Sequence, residues 1–372
     1  MSESSYKEFR LSKNNPIRPI HGSIKLSELR ALGLAYEDVL DFSTNINPLG
    51  PPESVFDGVE DIDLSKYPDP ECLHLHEMIS KHLDIDTSFI LAGNGSTEII
   101  HLFTRAYFES ISENSRTCAI FGPTYGEYRG ASELMGVSIL NLTANLIPPF
   151  DWDWSEAYSL IAKHKPALVF LCNPNNPTGV YLDESHISNL ASVVSENNGL
   201  LIVDEAYINF VEDRWDAIHL VRDKNIALLR SMTKDYSLTG IRLGYVLATP
   251  DIIEKISIYQ PDWSVNSIAQ QAGINVLQNK NYLQHARDVV KKNKAYLTSE
   301  LTSLNFQVHV SQANFLLLRT GNAGSWRNRL LQKGIVVRDC TSFGLPDYIR
   351  IGIRPFSECR QLVNTMMELV EV

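Results

Sequence analysis

The sequence predicts an α/β fold, with a large domain built on a mostly parallel central sheet and a smaller α+β C-terminal domain. Two observations carry this reading. Through the middle of the chain, short apolar runs alternate with helical patterns, and each run is apolar on both faces, as strands covered by helices must be. After Pro261 the texture changes to long helices followed by a cluster of strands. The composition agrees: 372 residues can bury a large core, and 44% hydrophobic residues is an ordinary globular proportion.

In chain order, the expected strands of the large domain are Thr117–Gly122, Ala167–Asn173, Leu200–Glu205, Ile226–Ser231 and Arg242–Ala248. Between them, Leu182–Asn197 has helical spacing, with Asp183 as a cap and Asn197-Asn198-Gly199 as a stop. Strands alternating with helices of this length form βαβ units. Beyond Pro261, Ser264–Gln278 and Tyr282–Leu304 read as helices. Strands follow at Phe306–Val310, Ala313–Arg319, Ile335–Cys340 and Tyr348–Ile353, and Ser357–Val370 is the last helix. The expected organisation is an N-terminal segment, 1–48, packing on the smaller domain or a dimer interface, a large domain over 49–262 and a small one over 263–372. No internal repeat or low-complexity segment interrupts it.

The composition also limits the function. A net charge of −11 argues against nucleic acid as a general partner, though not against a small anion held in a local pocket. No run of about 18 apolar residues marks a membrane span, and the first residues lack the apolar core of a signal peptide. Five scattered cysteines without CxxC spacing fit a reducing cytoplasm better than a disulfide framework or a zinc site. His74 and His76 have HxH spacing, but on a helix those positions diverge, so no metal is assigned.

Four motifs sit where open α/β sheets bind ligands. In AGNGSTE, Gly93 and Gly95 allow a tight turn, and Ser96 and Thr97 open a helix whose free N–H groups can hold an anion. The plain alternative is an ordinary loop and cap. In LCNPNNPTG, a rigid turn presents the amide of Asn176. In IVDEAY, Asp204 ends an apolar strand, where a carboxylate needs a partner, with Tyr207 just beyond; a cap or buried ion pair would also explain it. In LRSMTKDYSLTGIRLGY, Lys234 lies between Ser231 and Arg242; a lone lysine is more often a solvated one. Taken together these are an amine able to form a Schiff base, a carboxylate for a ring nitrogen, an amide and phenol for a ring hydroxyl, and a cradle with an arginine for a phosphate. That set describes pyridoxal 5'-phosphate.

The motifs NPTG, DEAY, SxxK and RLGY resemble those of the fold-type-I pyridoxal-phosphate enzymes, from about His21 to the end of the chain. The resemblance implies that Lys234 binds the cofactor covalently, that Asp204 keeps its ring nitrogen protonated, and that Asn176 and Tyr207 bond its ring oxygen. It further implies that Tyr125 stacks on the ring and that Ser231, Arg242 and the backbone at Gly95, Ser96 and Thr97 hold the phosphate. Tyr67, in KYPDP, matches a tyrosine that reaches the neighbouring subunit's phosphate, which implies a homodimer.

More finely, HGSIKLSELRALGL, FSTNINPLGPP, KYPDPECLHLHE and PDWSVNSIAQQAG are similar to segments of the L-threonine-O-3-phosphate decarboxylases, which serve the nucleotide loop of cobalamin. The histidinol-phosphate aminotransferases share the cofactor motifs and are the alternative. The decarboxylase resemblance implies a phosphorylated amino acid as substrate, with His21 and Asn47 near it. Arg338 and Arg350 each interrupt an apolar strand, so they are candidates for the substrate's carboxylate and phosphate. An ion pair with Asp339 or Glu358 would be the structural explanation for Arg338 and Arg354. The sequence departs from the family pattern at Ser23, Asp235 and Thr239. A serine at position 23 would narrow the pocket and favour L-serine O-phosphate.

Overall fold

The structure is a computed structural model that describes residues 19–109, 111, 116–223 and 225–370. After a helix over Leu26–Leu32, the first strand is short, β1 (Leu40–Asp41). Seven strands then build the main sheet: β2 (Ile90–Gly93), β3 (Thr117–Gly122), β4 (Ser138–Thr143), β5 (Leu168–Cys172), β6 (Leu200–Asp204), β7 (Ile226–Ser231) and β8 (Gly244–Leu247). Their spatial order is β2-β8-β7-β6-β5-β3-β4. Neighbours from β7 through β4 run parallel, whereas β8 is antiparallel to both β7 and β2.

Alternation along each strand divides the side chains between two cores. Phe121, Val169, Leu171, Leu201, Val203 and Leu228 face one side, and Ile120, Phe170, Cys172, Ile202 and Leu229 the other. Every residue of β5, β6 and β7 is buried, which is why these runs lack a polar face. Helix Glu184–Glu196 lies between β5 and β6, capped by the Asp183 carboxylate, which accepts a hydrogen bond from the His186 amide.

Beyond it lies a four-stranded antiparallel sheet of β9 (Gln307–Val310), β10 (Phe315–Arg319), β12 (Arg338–Asp339) and β13 (Tyr348–Gly352), in the order β12-β13-β10-β9. The run expected as one strand over 335–340 is divided. Its first part, β11 (Ile335–Val336), pairs with β1, and only the second joins β13. Helices Tyr282–Ser303 and Phe356–Val370 cover this sheet through Leu297, Leu301, Leu362 and Met366. Periodicity gave no sign of β2 and β4, the two ends of the main sheet.

Candidate active site

A cavity of about 630 Å³ opens at the C-terminal ends of β5, β6 and β7. That volume suits a cofactor with a small substrate. At one end, helix Gly95–Phe108 begins directly after β2. Ser96 and Thr97 line the cavity there, and the first amides of the helix have no intrahelical acceptor. Gly95 adopts φ +75°, and a Cβ on it would come within 2.5 Å of Arg242 Nη2. A Cβ on Gly244 would come within 2.6 Å of Ser96 N, so β8 can approach the helix only as glycine. Glu98 reaches back to accept from Asn94 N at 2.7 Å, which fixes the turn. Ser231 and Arg242 complete this polar, cationic end.

Lys234 lies in a short helix after β7, with its amine open to the cavity. Burial pushes its pKa down to about 8, helped by the nearby charges of Arg350 and Arg242. Asp204 ends β6 deep in the cavity, and burial pushes its carboxyl up to about 6. Two donors oppose that rise: the Tyr128 hydroxyl to Oδ2 at 2.7 Å and Ala206 N to Oδ1 at 2.9 Å.

The LCNPNNPTG turn shows why one of its asparagines differs from the others. Asn173 is occupied with both backbone groups of Leu182, and Asn175 with Pro123 O, Thr124 and Thr178. Asn176 instead faces the cavity and accepts a hydrogen bond from Arg350 Nη1. The Tyr207 hydroxyl accepts from Asn45 Nδ2 at 3.2 Å. Tyr125 also lines the cavity, its hydroxyl 3.5 Å from Thr97 Oγ1.

Arg338 and Arg350 face each other across the β12–β13 pair, both buried. Arg350 Nη2 donates to Ser43 O at 2.7 Å, and its Nε has no partner. Arg338 Nη2 donates to Ile20 O at 2.6 Å and Ser342 Oγ at 2.7 Å. Neither forms an ion pair among the described residues. Asp339 is occupied with Thr341, and Glu358 pairs with Arg354 at 2.8 Å. The segment carrying His21 crosses the cavity mouth. His21 Nε2 meets Glu127 Oε1 at 2.6 Å, and His101 approaches the other oxygen at 3.6 Å. Those two histidines hold Glu127 down to about 2.

Three expectations need correction. Asn47 lies outside the cavity, with its amide given to Asp235 O at 2.7 Å. The asparagine that lines the wall is Asn45, whose buried Oδ1 has no partner. Ser23 is exposed and faces a separate cavity of about 430 Å³ on the far side of Gly22, so it does not narrow the main one. The strand expected over 242–248 begins only at Gly244, because Arg242 adopts φ +63° in the turn before it. Tyr67 lies outside this chain's cavity, exposed and stacked on Trp263 at 4.3 Å. His76 accepts from Ala92 N while His74 pairs with Glu77, so the HxH side chains diverge. Asn45, Tyr128, Glu127 and His101 escaped sequence reasoning. Each is an ordinary polar or aromatic residue in a loop or helix pattern, and none breaks an apolar run.

The residues present fit pyridoxal 5'-phosphate. The cradle at Gly95 and Gly244 has no room for a Cβ but free amides for an anion. Asp204, Asn176, Tyr207 and Lys234 supply the carboxylate, amide, phenol and amine such a ring requires, and the unpartnered Asn45 Oδ1 leaves an acceptor beside them. Among the described residues, no group of three or more His, Cys, Asp or Glu could hold a metal ion, and no helix is long and apolar enough to cross a membrane.

The profile of the family described as aminotransferase class I and II matches residues 37–366. The threonine-phosphate decarboxylase of Salmonella typhimurium is 32% identical over 94% of this chain and 96% of its own length. The histidinol-phosphate aminotransferase of Symbiobacterium thermophilum is 31% identical over 91% of each chain. The solved histidinol-phosphate aminotransferase of Sinorhizobium meliloti, in complex with pyridoxal-5'-phosphate, superposes with a TM-score of 0.83 at 23% identity, covering 92% of this chain and 93% of that one.

Proposed function

Because the chain belongs to the class I and II aminotransferase family, whose members depend on pyridoxal 5'-phosphate, we propose that it removes the α-carboxylate of an O-phosphorylated amino acid. L-threonine O-3-phosphate, giving (R)-1-amino-2-propanol phosphate, and L-serine O-phosphate, giving ethanolamine phosphate, are the candidate substrates. The observation that carries this reading is the cross-strand pair Arg338 and Arg350. Like charges directly opposite each other on a sheet are unfavourable, and these two have only neutral partners. A ligand with both a carboxylate and a phosphate would neutralise both. The decarboxylase-like N-terminal stretch adds support, because Ile20 and His21 lie against Arg338 and the cavity mouth.

In this reading Lys234 would hold the cofactor, Asp204 its ring nitrogen, Asn176 and Tyr207 its ring oxygen, and Ser96, Thr97, Ser231 and Arg242 its phosphate. When bound, pyridoxal phosphate supplies a sink for the electron pair left at the substrate α-carbon when carbon dioxide departs. The arginines fix the direction of the carboxylate, so that the bond to be broken is aligned before it breaks. Asp204 remains ionised in a buried site because Tyr128 and Ala206 donate to it. Lys234, with its lowered pKa, can both give and take a proton near neutrality and is the residue we assign to protonate the α-carbon.

We also assign a homodimer as the active unit. Tyr67, Trp263, Phe56 and Leu64 are exposed large side chains of the kind an interface covers, and Tyr67 would reach the partner's phosphate end.

Carbon dioxide release from L-threonine O-phosphate and L-serine O-phosphate, supplied separately to cofactor-loaded protein, tests the reaction. Release from either establishes decarboxylation and ranks the substrates. No release, with histidinol phosphate transaminated against 2-oxoglutarate instead, makes the protein an aminotransferase.

A further inference from the structure

Asp204 is 3% exposed, and the protein gives its carboxylate two hydrogen bonds. One is local, from Ala206 N. The other comes from Tyr128, on helix Glu127–Leu134, across 76 positions of sequence. Tyr128 is fully buried and its ring cannot turn away. It lies parallel to Phe170, with centroids 4.9 Å apart and 6° between planes, and edge-on to Tyr125 at 5.6 Å and 79°. The neighbouring thiol of Cys172 also lies within reach of the Tyr128 hydroxyl, while donating to Pro174 O at 3.2 Å. So one side chain touches both the Asp204 carboxylate and Tyr125 in the cavity wall.

We propose that Tyr128 is a positioning residue that keeps Asp204 ionised and aimed at the cofactor ring nitrogen, while its edge contact sets the plane of Tyr125. The inference rests on the assignment of Asp204 to that nitrogen. A phenol donor stabilises the ionised carboxylate against the burial that opposes it. In the holoenzyme the carboxylate and the ring nitrogen compete for one proton. Without the Tyr128 hydroxyl the carboxylate becomes the stronger base and takes the shared proton more often, so the nitrogen carries it in a smaller fraction of molecules. A packing role alone would leave that competition unchanged.

The test is Tyr128→Phe, which preserves the ring, in holoenzyme loaded with pyridoxal phosphate carrying ¹⁵N at the ring nitrogen. The nitrogen chemical shift is followed by NMR as pH is raised, with Asp204→Asn as the reference. The expected result is a nitrogen chemical shift displaced toward the unprotonated value across neutral pH, relative to the native protein, with kcat reduced roughly 10- to 100-fold and KM little changed. A cofactor analogue with carbon in place of the ring nitrogen should bind both proteins equally. An unchanged nitrogen titration in Tyr128→Phe, beside a shifted one in Asp204→Asn, reduces Tyr128 to packing and overturns the proposal. Unchanged titration in both variants removes Asp204 from the ring nitrogen and the proposal with it. If Tyr128→Phe does not retain cofactor, the Asp204 carboxyl is titrated by ¹³C NMR in the cofactor-free proteins. Titration at higher pH in the variant supports the proposal, and identical titration overturns it.

Discussion

Arg350 donates a hydrogen bond to Asn176 across 174 positions of sequence, tying the four-stranded sheet to the turn that follows β5. Its other terminal nitrogen holds the carbonyl of Ser43. The guanidinium thus joins three segments while presenting a cation to the cavity. A lysine can supply the charge but not the fork. Hydrogen bonds to charged groups contribute roughly 1.5–3 kcal/mol, so Arg350→Lys is expected to lower kcat/KM about 10- to 100-fold. The visible spectrum of the bound cofactor should not change, and steady-state kinetics with retained absorbance would show both. Loss of the spectrum as well would mean that Arg350 organises the cofactor rather than the substrate.

With Lys234 assigned to the cofactor as proposed above, its lowered pKa predicts how the cofactor is captured. Only the neutral amine attacks an aldehyde, and for a lysine held at about 8 the neutral fraction rises through that pH. Uptake of pyridoxal phosphate by cofactor-free protein, followed by stopped-flow absorbance, should therefore accelerate as pH increases from 7 to 9 and level off above. Continued acceleration through pH 10 would place the amine near its ordinary value.

At Gly95 both space and backbone conformation exclude a side chain. The residue has a φ of +75°, and Arg242 Nη2 lies 2.5 Å from where a Cβ would be. Gly95→Ala should therefore displace Arg242 and weaken cofactor binding by about tenfold or more, as left-handed strain alone costs on the order of 1–2 kcal/mol. Equilibrium titration of the cofactor-free variant measures this. Native affinity would show that Arg242 has another place to go.

Asp235 follows the lysine and is buried, with Asn209 Nδ2 at 2.5 Å from Oδ2. Burial pushes its carboxyl up to about 7. Because the folded value exceeds the unfolded one, ionisation costs stability progressively as pH rises from about 4 to about 7, and the full cost applies above that. Asp235→Asn removes the charge and is expected to raise the stability of cofactor-free protein by on the order of 1–4 kcal/mol at pH 8. It should change little at pH 4.5. Thermal melts at the two pH values decide it, and equal shifts at both would mean the carboxylate is not the cause.

The sequence displayed those parts of the site that interrupt an apolar pattern. Asp204 at the end of LLIV, and Arg338 and Arg350 inside short strands, stand out because an unpaired charge there is costly, whereas Lys234 stands out only together with Ser231, Arg242 and the other motifs. Tyr128 gave no such signal: a tyrosine in a helical pattern is what core packing looks like, and its hydroxyl finds Asp204 only through tertiary contact. Asn45 and Asn47 are two residues apart, and composition treats them alike. Only the path of the chain places the first in the cavity wall and the second behind Lys234. For similar reasons the parallel centre of the sheet was readable from doubly buried runs. The reversal of β8 was not, because it depends on the turn around Arg242 rather than on the strand's own residues.

The pairing of β1 with β11, in which Leu40 and Asp41 lie beside Ile335 and Val336, also sets an order of events during synthesis. The strands around the anion cradle, from Ile90 to Leu247, form one contiguous stretch that leaves the ribosome together. Ser43, by contrast, emerges early and must wait for Arg350, 307 positions later, before its carbonyl is bound. A nascent chain can therefore complete the glycine cradle while the side of the cavity that carries Arg338 and Arg350 remains open. The two buried arginines are the last part of the cavity wall that the growing chain can set in place.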